Sequence, residues 1–221
     1  MPPRLPHASL QRIEMMVSLF PKITATTGGA QVELAEVLAA IQGGRWAREV
    51  NAVRAATSAP DRRHLKAALP YFTASGTFAE RKDAGLVVHS GIVALDLDAK
   101  QNPDWQLAHA KARLLADPYT FAVFVSAGGE GLCALVRITT DDHAGSFRSL
   151  AVYYAAHHQL VVDSLGDVSR ARYVSFDPEL YHNPNAERWE DVEAPAISKP
   201  APGPVVRSLP GFIELLTAYL A

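Results

Sequence analysis

Apolar positions along this chain recur with two different periods, and the points where the period changes mark its elements. Residues 15–20, Met-Met-Val-Ser-Leu-Phe, form an apolar run closed by Pro21, and Thr26-Thr27-Gly28-Gly29 follows, so a strand and a loop are expected. From Val32 the positions Val32, Ala35, Leu38, Ala39 and Ile41 keep helical spacing until Gly43-Gly44, which predicts a helix ending there. Residues 46–56 and 61–68 also read as helices, with Asp61 after Pro60 as the expected N-cap. The centre is different. Leu86–Asp98 is rich in β-formers, 105–116 is helical up to Asp117-Pro118, and 120–126 and 132–138 are apolar strands joined by a glycine-rich turn, the pattern of a hairpin. Asp141 or Asp142 can cap a helix reaching about His158, and 160–163 and 172–176 read as short strands before Asp177-Pro178.

Beyond residue 192 the pattern stops. Glu193 to Pro210 is dominated by alanine and proline, the composition of an extended linker. The globular domain is therefore expected over 1–192, with an N-terminal α/β element at about 10–80 and a core at about 84–192. Residues 211–221, with Phe212, Leu215, Leu216, Tyr219 and Leu220, are expected to be a terminal helix or the start of a truncated region. There is no internal repeat.

Composition narrows the class. The 221 residues are 48% hydrophobic and 20% charged, as in soluble globular domains rather than disordered chains. No apolar stretch approaches the roughly 20 residues that cross a bilayer, and the N-terminus lacks the apolar core of a signal peptide; no membrane and a cytoplasmic location are expected. Cys133 is the single cysteine and the eight histidines show no H-E-x-x-H spacing, which argues against disulfides and structural zinc. The net charge of −2 gives no global support for nucleic-acid binding. Two local basic clusters, Arg45 to Arg54 and Arg62 to Lys66, form either one basic face or solvated helix surfaces.

Three segments carry chemistry at strand ends. Ile92-Val93-Ala94-Leu95-Asp96-Leu97-Asp98 ends in two carboxylates two residues apart, which project from one face of a strand while Leu95 and Leu97 anchor the other. Paired carboxylates suit a hard cation, Mg²⁺ or Mn²⁺, completed by substrate phosphates. In the turn Ser126-Ala127-Gly128-Gly129-Glu130-Gly131 the glycines permit close backbone approach and an anion-binding array of N–H groups. Val162-Asp163 is followed by Asp167, Arg170 and Arg172, a third strand-end acid with two guanidiniums suited to phosphate oxygens. Each segment alone is equally an ordinary solvated turn. Together they supply what phosphoryl transfer needs: carboxylates for metals, backbone donors for phosphates and arginine for transition-state charge.

The ordered series Leu65-Lys66-x-x-Leu69-Pro70, Phe72-x-x-Ser75-Gly76-x-Phe78, His89-Ser90-Gly91, Leu95-Asp96-Leu97-Asp98 with Asn102, Ser126-x-Gly128-x-x-Gly131, Val162-Asp163 and Asp167-x-Ser169-Arg170 to Ser175-x-Asp177-Pro178 resembles the VirE-N-terminal-like branch of primase-polymerases. That branch belongs to the archaeo-eukaryotic primase superfamily and occurs in mobile elements, phages and some CRISPR-associated proteins. The resemblance covers roughly residues 15–190. It implies an α+β fold with an RRM-like mixed or antiparallel sheet flanked by helices and a helical N-terminal element. It implies catalytic metal on Asp96, Asp98 and Asp163, with Asp167 as the alternative third acid. It further implies nucleotide contacts from Ser126, Gly128, Gly129, Gly131, Lys66, His89, Arg170 and Arg172. Cys133 stands where the superfamily often has a histidine, so Lys66, Arg170 and Arg172 are the candidates to hold the triphosphate.

The expected activity is template-directed DNA priming or polymerisation from (d)NTPs with Mg²⁺ or Mn²⁺, on a DNA template and primer. A helicase or other replication domain C-terminal to the linker is a candidate partner. The alternatives are a metal-dependent nuclease or phosphotransferase, and an inactive nucleic-acid-binding module. His89 is expected either at the nucleotide or as a half-buried strand histidine. His157-His158 are expected on a helix surface, and Trp46, Trp105 and Trp189 in the core or its cover.

Overall fold

The computed structural model describes residues 15–139 and 141–192, within which two sheets pack on a shared core. The first has strand order β2-β1-β3-β9: β1 (Met16–Phe20) pairs antiparallel with β2 (Ala30–Glu33) and β3 (Tyr71–Thr73), and β3 with β9 (Arg172–Tyr173). Three helices, α1 (Leu34–Gln42), α2 (Ala47–Ala55) and α3 (Ala59–Ala68), occupy the connection from β2 to β3. In α1 the buried stripe is Leu34, Val37, Leu38 and Ile41, one face of an amphipathic helix. The helix expected from Val32 starts two residues later. Ala30–Glu33 completes a ladder with β1, Val32 opposite Val17, and tertiary pairing overrides periodicity at that edge. Ser58, not Asp61, caps α3. The Ser58 hydroxyl accepts from the Asp61 N–H at 3.1 Å and donates to the Asp61 carboxylate at 2.6 Å, so Asp61 sits one turn in and bonds back to the cap.

The β-rich run 86–98 is broken. β4 (Gly76–Phe78) pairs with β5 (Leu86–His89), and Gly91, at φ +74°, turns the chain into β6 (Ile92–Asp98). After α4 (Leu107–Leu115) come β7 (Thr120–Val125) and β8 (Gly131–Ile138), the expected hairpin. Asp142 caps α5 (His143–Tyr153), accepting from the Gly145 N–H at 2.8 Å, and the helix ends in one π turn, Tyr154–His158. β6 and β7 flank β8, both antiparallel to it; β10 (Tyr181–His182) extends the β7 edge and β11 (Arg188–Trp189) runs parallel to the end of β8.

Residues 160–163 are not a regular strand, yet they hold a strand's position. The Asp163 N–H donates to the Asp96 carbonyl at 2.8 Å, and the Asn102 side chain brackets Val161, donating to its carbonyl at 2.9 Å and accepting from its N–H at 2.8 Å. A side-chain amide thus replaces a neighbouring strand. The result is a βαββαβ unit in which the last segment, β6, β8 and β7 lie side by side, an RRM-like core within an α+β fold.

Alternation along β6 sorts its side chains onto two layers. Val93, Leu95 and Leu97 pack with Leu114 of α4 and Leu150 and Tyr154 at α5, while Ile92 and Ala94 join the cluster of Val50, Val53 and Phe72 from the N-terminal element. Asp96 and Asp98 continue that second face. His158, expected on a helix surface, is instead buried against the Asp117 carboxylate, which also accepts from the Tyr153 hydroxyl at 2.9 Å. Trp46 and Trp189 are buried, as expected. No helix among the described residues is long and apolar enough to cross a membrane. The expected linker at 193–210 and the segment 211–221 lie outside the described residues.

Candidate functional site

Beyond Ala94 the second face of β6 is no longer covered, and a cleft of about 350 Å³ opens over Asp96 and Asp98. Cross-strand pairing fixes what each carboxylate meets on β8. Asp96 lies opposite Cys133, and Asp98 opposite Gly131. A β-carbon at Gly131 would stand 2.6 Å from Asp98 Oδ1 and 2.9 Å from the Leu97 carbonyl oxygen. Glycine is therefore the residue that leaves Asp98 in place, a packing demand rather than a turn requirement.

The opposite wall comes from the N-terminal sheet and its helices. β9 delivers Arg172, which is buried and donates from Nη1 to Asp96 Oδ2 at 2.8 Å and from Nη2 to the Ala94 carbonyl at 2.6 Å. Because β9 pairs with β3 and Asp96 sits on β6, this guanidinium joins the two sheets. Arg170 donates from Nη2 to Asp163 Oδ2 at 3.1 Å, and its Nε is 3.9 Å from Asp96 Oδ2. Lys66, in the last turn of α3, lines the cleft with its ammonium 5.2 Å from the Tyr173 ring centroid. Arg81 completes the cationic rim, its Nε donating to the Tyr71 hydroxyl at 2.9 Å. Three carboxylates, Asp96, Asp98 and Asp167, and four cations thus share one small space.

Their charges do not balance evenly. Burial and the negative charges of Asp96 and Asp163 push the Asp98 carboxyl above its ordinary range, against the opposing pull of Lys66 and Arg170. Asp98 is a carboxylate short of positive charge. The Cys133 thiol is also pushed up, by burial and then by Asp96, so it stands on the cleft floor as a neutral group.

The expected site residues divide into those at the cleft and those away from it. Asp96, Asp98, Lys66, Ser126, Arg170 and Arg172 line it, and Gly131 backs Asp98. Asp167 lines it too. Asp163 does not; its carboxylate is taken up by Arg170. Gly128 and Gly129 form the tip of the hairpin turn and do not line the cleft. The Gly129 N–H is spent on the Ser126 carbonyl, and Arg54 of α2 packs on Gly129 and donates to that same carbonyl at 3.0 Å. Arg54 thus packs on the tip of the hairpin turn. His89 is also elsewhere: its Nδ1 accepts from the Gly91 N–H at 2.9 Å, so its Nε2 proton points to His143 Nδ1 at 3.1 Å. Burial lowers the titration of both rings, His143 to about 4.

Arg81 and Tyr173 line the cleft without having been singled out from sequence. Arg81 sits in the loop after β4, where nothing in its spacing distinguishes it. Tyr173 neighbours Arg172 and carried only the signal of adjacency.

The carboxylates were tested against the divalent cation that the sequence suggested. Among the described residues no group of three or more His, Cys, Asp or Glu stands close enough to hold a metal alone. Asp96 and Asp98 fit as a two-carboxylate seat: same face, strand end, one of them undercompensated, with the remaining positions left to phosphate oxygens and water.

Residues 64–182, just over half of the chain, match the model of a family described as BT4734-like, N-terminal domain. The matched stretch begins within α3 and runs through β10, so it includes all the cleft residues named above. No curated protein and no solved structure matches the chain.

Proposed function

The chain belongs to the BT4734-like N-terminal domain family, and from its cleft we propose that it is a nucleotidyltransferase of the primase-polymerase kind, extending a strand on a DNA template from (d)NTPs. The single observation that carries this reading is the convergence of Asp96 and Asp98 with Lys66, Arg81, Arg170 and Arg172 around about 350 Å³, a volume suited to a nucleotide-sized ligand. A hydrolytic site for neutral substrates has no use for four cations beside its acids.

In this reading Asp96 and Asp98 hold Mg²⁺ or Mn²⁺, which when bound supplies neutralising charge at the phosphate oxygens. Lys66 and Arg81, held by Tyr173 and Tyr71 and in no ion pair among the described residues, meet the triphosphate. Arg172 holds Asp96 in one orientation through its 2.8 Å bond, and Asp163 holds Arg170 beside the seat. Asp163 thus acts through Arg170 instead of joining the metal seat directly. The 3′ oxygen of the strand forms a bond to the α-phosphorus, the α–β bridging bond breaks, pyrophosphate leaves and the hydroxyl proton passes to solvent. The neutral Cys133 thiol contributes volume at the floor and no charge.

Primer extension by purified protein with Mn²⁺ and dNTPs tests the proposal. Longer labelled strands, lost in Asp96→Asn and Asp98→Asn, support it. Shorter strands would make the cleft a nuclease, and unchanged extension by both variants would remove these acids from the reaction.

A further inference from the structure

Helix α3 raises a question that the cleft does not answer. None of its ten residues is fully buried, and Leu65 packs against the core only in part, so the core accounts for one side of the helix. What it presents is charge. Ala59, Arg62, Arg63 and Lys66 fall at i, i+3, i+4 and i+7, one face of the helix, and with Thr57 they line a second groove of about 360 Å³. Residues 45–66 carry six arginines and lysines against Glu49 and Asp61, in a chain whose net charge is −2. The positive charge is concentrated here.

Three observations say what this groove takes. Arg63 is exposed, and among the described residues it has no ion pair. Arg62 reaches Glu130 at 3.4 Å and donates from Nη2 to the Ala56 carbonyl at 3.2 Å, while its buried Nε proton has no partner. Lys66 lines both this groove and the cleft, so the two are continuous through one side chain. A nucleotide's triphosphate fills the cleft itself; cations running about one turn beyond it along a helix match a repeating polyanion.

We infer that the Ala59–Lys66 face of α3 is a track for the phosphate backbone of single-stranded DNA, which enters the cleft past Lys66. This rests on the proposed function in one respect: the strand on the track is the one the cleft reads or extends. Arg62 and Arg63 meet phosphates upstream of the cleft, and Lys66 marks the passage. The contacts are to backbone, so the track is indifferent to sequence and sensitive to salt.

The test is fluorescence anisotropy of a labelled oligo-dT 20-mer with the full chain, without metal or nucleotide, over a series of salt concentrations. Arg63→Glu and the double variant Arg62→Gln/Arg63→Gln are each checked for unchanged thermal unfolding. Arg63→Glu should weaken binding at least fivefold at about 0.1 M salt, and the double variant should lower the salt slope by about 1.4, at roughly 0.7 per lost single-strand phosphate contact. Mn²⁺-dependent dNTP binding should stay at the wild-type level in both. Oligonucleotide binding equal to wild type would overturn the track, and so would selective loss of dNTP binding, which would make the groove a triphosphate site. The proposed roles of the acids are read separately, in primer extension by Asp96→Asn/Asp98→Asn: retained extension would remove Asp96 and Asp98 from the reaction, while the track stands or falls on the oligo-dT data.

Discussion

Replacing Arg172 by methionine tests how the cleft is held together. The change keeps an unbranched apolar stem and removes the guanidinium that joins β9 to β6. Two hydrogen bonds disappear, 2.8 Å to Asp96 Oδ2 and 2.6 Å to the Ala94 carbonyl. Bonds to a charged group contribute about 1.5–3 kcal/mol each, and breaking a fully buried ion pair costs about 3–5 kcal/mol. The Arg172 side chain is 5% exposed but that of Asp96 is 27% exposed, so water recovers part of the lost solvation. A loss of about 2–4 kcal/mol follows, between the buried and the surface limits. In urea melts, at about 1–3 kcal/mol per molar, the midpoint should fall by roughly 1–2 M. A double-mutant cycle with Asp96→Asn should return a coupling of at least about 1 kcal/mol. If Arg172→Met unfolds within about 0.5 kcal/mol of wild type, or the coupling vanishes, the guanidinium does not staple the two sheets.

Four other outcomes follow from the same geometry. Gly131→Ala sets a β-carbon 2.6 Å from Asp98 Oδ1; a loss of about 1–3 kcal/mol and weakened Mn²⁺ binding should appear together, and an unperturbed variant would mean that Asp98 has room to move. Ser58→Ala removes the cap of α3 and should cost about 0.5–2 kcal/mol in a thermal melt. His143 titrates at about 4 in the fold against an ordinary 6.5. The unfolded chain therefore takes up the proton first as pH falls, and stability present above 6.5 should decline from about 6.5 toward 4. Replacing His143 by asparagine should flatten that decline, which denaturant melts across this range would reveal. Extension activity should fall as the medium is acidified, because Asp98, already pushed up by burial and neighbouring acids, must be ionised to hold a cation; a rate that rises on acidification would contradict that role.

Much of this arrangement was legible in local chemistry. Asp96 and Asp98 share a face because strands alternate, and the apolar run before them forces the register that turns them outward. The hairpin followed from two apolar strands and a glycine turn. What was not legible depends on distant partners. Ala30–Glu33 has helical company in sequence and becomes a strand only because β1 offers an edge. Residues 160–163 have a strand's composition and location but are held by Asn102, a side chain 59 residues away. The hairpin glycines suggested an anion cradle, and nothing local to them announced that Arg54 packs on Gly129. His89 and Asp163 carry the right chemistry and meet His143 and Arg170 instead of the cleft.

The seat formed by Asp96 and Asp98 is the centre of this account, and Mn²⁺ electron paramagnetic resonance tests it most directly. Mn²⁺ and dNTP are titrated into the wild type and into Asp96→Asn/Asp98→Asn, each shown to be folded. The wild type should take up one equivalent of Mn²⁺ with the nucleotide, and the variant should lose this uptake at least a hundredfold in affinity. Equal uptake by both proteins would contradict it.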